Sequence, residues 1–338
     1  MRAPPHPAAR SRAATLAGAA ALFGINALVT GRLWNAGFID QMGSSEGPVL
    51  AIIRHIMRHW SDLLWFPAWL CGTPFAQVYN PGLHSLVAVV GTAFSLTPER
   101  AYHWMAALLY ALGPVTLYWL GYRLTSSRAY AFLTGLLYSL FSPAGLLAAG
   151  IRSDMGGLFH ARRYQVLAHY GEGPHIAVLT LIPLVIWALD RALAGEQRRF
   201  IPLASLLLGA AVVTNWTGSV GLAVAVAAYL LSRFGSLRPA QWLTALGLAA
   251  LGYLLICPWV PPSVVALMPG NAENSVGVKL GSHLWPLAAL AAILLVAHFA
   301  LNRFHAPRGL RFLSSSFCVL SVFYLWLIEC SEPAPTTA

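Results

Sequence analysis

Charge is scarce in this sequence. Aspartate, glutamate, lysine and arginine together make up 9% of its 338 residues, where a soluble domain carries about 25%. Hydrophobic residues reach 58% and the mean hydropathy is +0.65. A surface this poor in charge would aggregate in water, so the solvent for most of the chain is lipid, and a soluble enzyme is excluded. Thiol motifs are missing too. The four cysteines (Cys71, Cys257, Cys318, Cys330) form no CxxC pair, which leaves no cysteine-based metal or redox motif. A helical HxxxH with its glutamate is absent. So are low-complexity stretches, charge-free linkers and the paired repeats of many transporters. The chain reads as a single transmembrane domain, 1–338.

What charge there is leans basic, with a formal net of +10. The basic residues sit in short clusters between apolar runs, which is how membrane helices are oriented rather than how nucleic acid is bound. Apolar runs at 13–31, 102–122, 129–150, 175–189, 200–214, 219–231, 241–258, 284–301 and 312–328 predict an all-α bundle of about nine spans. The first follows Arg2, Arg10 and Arg12. It is long for a signal-peptide core and reads as an uncleaved first helix. A further run, 83–96, has only 14 residues. With that run lying in the interface and the N-terminus in the cytoplasm, 13 of the 21 basic residues and 2 of the 11 acidic ones fall inside. A spanning 83–96 would invert every later loop and turn the arginine clusters outward. The positive-inside rule therefore favours a multi-pass protein of the inner (plasma) membrane, with its N-terminus cytoplasmic. Segments 32–100, 151–174 and 259–283 then lie outside.

The first outer segment opens with Asp40 and Glu46. Ser44–Ser45–Glu46–Gly47–Pro48 looks like a helix start. The following stretch is amphipathic. Ile52, Ile53 and Ile56 share a face with Met57 and Trp60, and Arg54, His55, Arg58 and His59 lie on the other side. Such a helix is expected in the membrane interface, its basic face suited to a phosphate. Then comes WFPAWLCGTPFAQVYNPGLH, whose Trp65, Trp69 and Tyr79 read as interfacial aromatics and whose prolines make the backbone irregular. The triplet Asn215–Trp216–Thr217 reads as a helix end rather than a glycan acceptor.

This order resembles the C superfamily of glycosyltransferases (GT-C), multi-span enzymes that use polyprenyl-phosphate-linked sugars. The residues that carry the likeness are Glu46, then Trp65, Pro67, Trp69, Gly72, Pro74, Tyr79 and Pro81 in a W.P.W..G.P....Y.P pattern. It covers 13–233, with 234–338 as additional spans. Relatives commonly carry more spans or a soluble C-terminal domain. This chain stops at Ala338, so acceptor recognition is in doubt or the chain is a fragment.

The resemblance implies a first-loop acid that orients or deprotonates the acceptor, here Glu46 with Asp40 as the alternative. It also implies a second-loop acid, Asp154 or Glu172. Transfer to a hydroxyl needs a proton acceptor while the anomeric carbon becomes cationic. A lipid phosphate would meet Arg152, Arg162 and Arg163 of the second loop, or Arg54 and Arg58. Tyr79, His84 and His175 are placed with them as substrate-binding. Outer histidines and acids could also hold a divalent cation such as Mg or Mn, with His55 and His59 spaced i, i+4. The expectation is a membrane glycosyltransferase acting on a polyprenyl-phosphate-linked sugar at the outer face, with inversion. Two alternatives stay open: a transporter or flippase of lipid-linked or small polar substrates, and a non-catalytic membrane partner. A transporter calls for polar groups near the bilayer midplane, and the runs hold almost none.

Overall fold

The computed structural model describes residues 7–39, 44–69, 71–75, 81–142, 149–155, 160–195, 199–263, 265, 284–304 and 306–330. Within them the chain is all-helical, with one short hairpin. The helices are α1 (Pro7–Val29), α2 (Glu46–Arg58), α3 (Pro81–Ala93), α4 (Pro98–Thr125), α5 (Arg128–Leu140), α6 (Ala149–Met155) and α7 (Arg162–Ala168). They continue with α8 (Gly173–Leu193), α9 (Phe200–Thr214), α10 (Gly218–Ser232), α11 (Pro239–Ile256), α12 (Leu284–Arg303) and α13 (Arg308–Cys330).

Local chemistry marks the ends. Thr97 caps α4 by accepting the Arg100 N–H, and Pro98 stands in the first turn, where a missing N–H costs nothing. Ser127 does the same for α5 through the Tyr130 N–H. Asn215 is fully buried, and its amide oxygen accepts from the Gly218 N–H (2.9 Å) and the Thr217 hydroxyl (2.6 Å). It is a helix-end residue, as its setting in the sequence suggests.

Among the described residues, four helices are long and apolar enough to cross a membrane: Arg12–Val29, Pro98–Thr125, Gly173–Leu193 and Pro239–Ile256. The expected runs 284–301 and 312–328 lie in α12 and α13, of 20 and 23 residues, and the remaining three form shorter helices. Phe200–Thr214 and Gly218–Ser232 have 15 residues each, a reach of about 22 Å against a hydrocarbon core of about 30 Å. The run 129–150 differs most, because its helix stops at Leu140 and Phe141 is extended. Many apolar side chains point outward, among them Leu28, Leu243 and Val296, as a lipid-facing surface requires.

Helices α4 and α8 form the centre and run the same way. The head of α8 meets the head of α4, where the Gly173 N–H donates to the Tyr102 hydroxyl (3.1 Å). Their far ends meet too, where Arg123 donates to Asp190 (2.7 Å). Between these points Thr116 donates to the Thr180 carbonyl (3.0 Å) and Thr180 to the Leu109 carbonyl (2.8 Å). From His103 to Arg123 the helix rises about 30 Å, the thickness of a hydrocarbon core. The bundle therefore has two polar ends, one around Glu46 and one around Asp190.

The apolar stripe of α2 corrects the sequence reading. Ile52, Ile53 and Ile56 are fully buried, packed with Phe66, Phe75, Leu83, Val87, Tyr102 and Met105. The stripe faces α3, α4 and the hairpin rather than lipid. Amphipathicity reports an apolar partner but not whether that partner is acyl chain or protein.

The W.P.W..G.P segment folds as a two-stranded antiparallel hairpin, Trp65–Phe66 against Thr73–Pro74. Its turn needs glycine. Gly72 has φ +109°, and a Cβ there would lie 2.4 Å from the Trp65 indole. Gly72→Ala is expected to destabilise the protein by about 1–3 kcal/mol. A melt in detergent checks this, and the hairpin should become the first site of proteolytic cleavage.

Candidate functional site

Glu46 begins α2, and only 3% of its surface is exposed. A carboxylate in a first helical turn complements the helix dipole. This one is also held from outside its helix. Its Oε1 accepts the Ile39 N–H (3.1 Å) and lies 3.2 Å from His103 Nε2. His103, in the first turns of α4, is equally buried, and its Nδ1 is 3.3 Å from the Ala36 carbonyl. A carbonyl only accepts, so Nδ1 carries a hydrogen. Nε2 is then the ring nitrogen that faces the Glu46 carboxyl. Glu46 and His103 form a buried carboxyl–imidazole pair.

The first and second outer segments meet at this point. Ser45 donates from its N–H (2.8 Å) and its hydroxyl (3.0 Å) to the Tyr170 carbonyl. Gly171, with φ +69°, presses on Ser44 and Glu46, and a Cβ there would stand 2.7 Å from the Glu46 nitrogen. The Tyr102 hydroxyl donates to the Gly171 carbonyl (2.6 Å). Glu172 follows directly, so both Glu46 and Glu172 neighbour Tyr102.

Asp154 stands at the surface of the same region. Its carboxylate pairs with Arg162 and accepts from the Tyr170 hydroxyl (2.7 Å). Arg162 also donates to Gln165 (2.7 Å), and the Gln165 amide returns to the Asp154 carbonyl (2.8 Å). The Tyr170 hydrogen bond, then Arg162, hold the Asp154 carboxyl below its ordinary range, and the same bond pushes the Tyr170 hydroxyl up. A depressed carboxyl stabilises the fold above its unfolded pKa and loses that effect as pH falls through the folded value. The clasp should therefore persist from neutral pH down to about pH 4 and open only in stronger acid. Amide exchange of residues 160–172, corrected for intrinsic rate, should be the same at neutral pH and at about pH 5. Opening within that window would contradict the assignment.

Arg162 and Arg163 diverge. Arg163 turns into the bundle and is 7% exposed. Its guanidinium lies between the Tyr110 and Tyr138 rings, 4.2 Å from each centroid, and donates to the Tyr110 carbonyl (2.9 Å). Gly113 makes the space, since a Cβ there would be 2.6 Å from the guanidinium. Nε and Nη1 of Arg163 have no hydrogen-bond partner among the described residues. Tyr110 is seven residues below His103 on α4, about 10 Å along the axis.

The remaining expected residues have other settings, with His175 near Glu172. Arg54 pairs with Glu99 (2.5 Å), and Arg58 is exposed at the end of α2. Arg152 is exposed on α6, His84 is fully buried in α3, and His175 is half-buried in the first turn of α8. His55 stacks on His59 at 4.5 Å and packs edge-on to Phe66. Burial, then His59, lowers the His55 pKa, so a neutral ring fits this aromatic setting. Asp40 and Tyr79 lie outside the described residues. Among the described residues no three of His, Cys, Asp and Glu are grouped to hold a metal ion. The Asp154 oxygens meet Arg162 and Tyr170, and Glu46 Oε1 meets Ile39 and His103.

Fold and site together define an all-helical membrane protein with a buried carboxyl–imidazole pair at one end of its bundle. No family model matches the chain, and no curated protein matches it. Among solved structures it is similar to the crystal structure of the Archaeoglobus fulgidus oligosaccharyltransferase in complex with Zn and sulfate. Identity is 13% and the TM-score 0.45, over 92% of this chain and 50% of that one. The chain thus spans half the length of that structure.

Proposed function

We propose that the protein is a membrane glycosyltransferase that takes a sugar from a polyprenyl-phosphate donor at the Glu46 end of the bundle. The observation that carries this reading is the junction of the two outer segments over the Glu46–His103 pair. Glu46 takes the proton of the acceptor hydroxyl, and His103 shares it. Arg163 receives the donor phosphate. Its two nitrogens without a partner among the described residues and its tyrosine stacking suit a planar, bidentate anion partner. Asp154, clasped by Arg162 and Tyr170, positions the second segment rather than acting as the base. The Glu46 end faces outward and the arginine-rich end faces the cytoplasm, in keeping with charge bias. The chain sits in the inner (plasma) membrane and transfers with inversion.

A second reading, passage of a polar substrate, draws on Arg163 itself, an ionised group set among helices. One experiment separates the two. Vesicles holding the protein receive radiolabelled sugar on polyprenyl phosphate, and both transfer to acceptor and movement across the bilayer are measured. Transfer that requires Glu46 supports the enzyme. Movement of intact donor without transfer sinks it.

A further inference from the structure

The Asp190 end has an arrangement the proposed chemistry does not use. Asp190 is fully buried and binds three arginines from separate elements. Arg123 donates at 2.7 Å and Arg233 at 3.2 Å, Arg308 pairs with the same carboxylate, and the Tyr229 hydroxyl donates at 2.7 Å. Arg311 lies close enough to feel the charges of Arg233 and Arg308. It donates only weakly, to Asn302 at 3.4 Å, and its buried Nε has no partner among the described residues. Three guanidiniums thus share one carboxylate and Arg311 stands beside two of them, so among the described residues the cluster holds four arginines and one acid.

Beside this cluster runs an apolar groove of about 460 Å³ between α10, α12 and α13. Its walls include Ala227, Leu231, Leu295, Cys318, Val322 and Phe323. Leu231 stands two residues before Arg233, and Cys318 two helical turns beyond Arg311. The groove's near end is thus at Leu231, and on α13 its first wall residue stands about 10 Å along the axis from Arg311, within the span between a phospholipid's phosphate and its acyl chain. Ala227 is exposed, so the groove opens to the surrounding bilayer.

We propose that this end of the bundle binds an anionic phospholipid of the bilayer, its headgroup phosphate on Arg311, Arg233 and Arg308 and one acyl chain in the groove. Cation surplus and apolar groove meet in the order in which a phospholipid presents phosphate and chain. A guanidinium with an idle buried nitrogen is the donor type that phosphate oxygens accept from. Each such charge favours anionic over zwitterionic lipid by roughly fivefold. The proposal stands independently of the glycosyltransferase reading, since it concerns the opposite end of α4.

Native mass spectrometry of the full chain tests it, with phosphatidylglycerol and phosphatidylcholine supplied in equal amounts. The expected result is one retained phosphatidylglycerol, preferred by roughly tenfold or more. Arg311→Gln should cut the preference roughly fivefold while Arg311→Lys keeps most of it. Ala227→Trp, which fills the groove and leaves every arginine in place, should abolish retention. Equal retention of the two lipids overturns the proposal, as does preference unchanged in both Arg311→Gln and Ala227→Trp. If Arg311→Gln fails to fold, Ala227→Trp and Arg311→Lys carry the test, and preference surviving Ala227→Trp overturns it. Displacement of phosphatidylglycerol by polyprenyl phosphate at equal concentration also overturns it.

Discussion

Glu46→Gln is expected to lower sugar transfer by about 10²- to 10⁴-fold, the usual contribution of a positioned general base. Glutamine keeps the shape of the side chain, and its carbonyl oxygen still accepts the Ile39 N–H. What it loses is the ability to hold a proton opposite His103. His103→Gln should fall less far, because the carboxylate remains and only its partner is gone. The competing account makes Glu46 a structural tie, since breaking a buried pair costs about 3–5 kcal/mol. Transfer and melting temperature, measured on the same detergent preparation, separate the two. A variant that melts within a few degrees of wild type yet transfers nothing supports the base. If transfer falls only in step with the fold, Glu46 is a tie and the chemistry lies elsewhere.

At the other end, Asp190→Ala is expected to destabilise the protein by about 3–5 kcal/mol, with a melting temperature lower by roughly 10 °C. The carboxylate is the counter-ion for guanidiniums on α4, on the residue after α10 and on the first turn of α13. Removing it leaves those cations crowded together with no anion between them. Asp190→Asn should cost less, because its amide oxygen still accepts from Tyr229. Adding Arg308→Ala to Asp190→Ala should restore part of the loss, as coupled partners do. A single variant that melts like wild type would mean that other contacts hold α4, α8, α10 and α13 together.

The sequence told much about class and less about partners. Low charge and long apolar runs announced a helical membrane protein, and Glu46 was legible because a helix start and an acid coincide there. His103 was not. It stands at the head of an apolar run, where an imidazole reads as one more interfacial residue, and its partner is 57 positions away. Arg162 and Arg163 are adjacent, and only the helix phase of α7 decides that one clasps Asp154 outside while the other enters the bundle. Asp190 is one of two acids, with Glu196, in an arginine-rich loop. Its partners are 43, 67 and 118 positions distant, and nothing local announces them. The stripe of α2 had the right period and the wrong assumed neighbour, since periodicity is blind to what fills the far side.

One feature of α5 reaches beyond the protein itself. Its outward side chains Tyr130, Leu133, Leu137 and Leu140 form a greasy strip only ten residues tall, about 15 Å. A strip this short falls well under a hydrocarbon core of about 30 Å, and one way a bilayer meets such a mismatch is to thin into a dimple alongside. Arg163 lies behind that strip, against Tyr138 one turn from the helix end. A headgroup drawn into such a notch would sit far deeper than its neighbours while its tail never left oil.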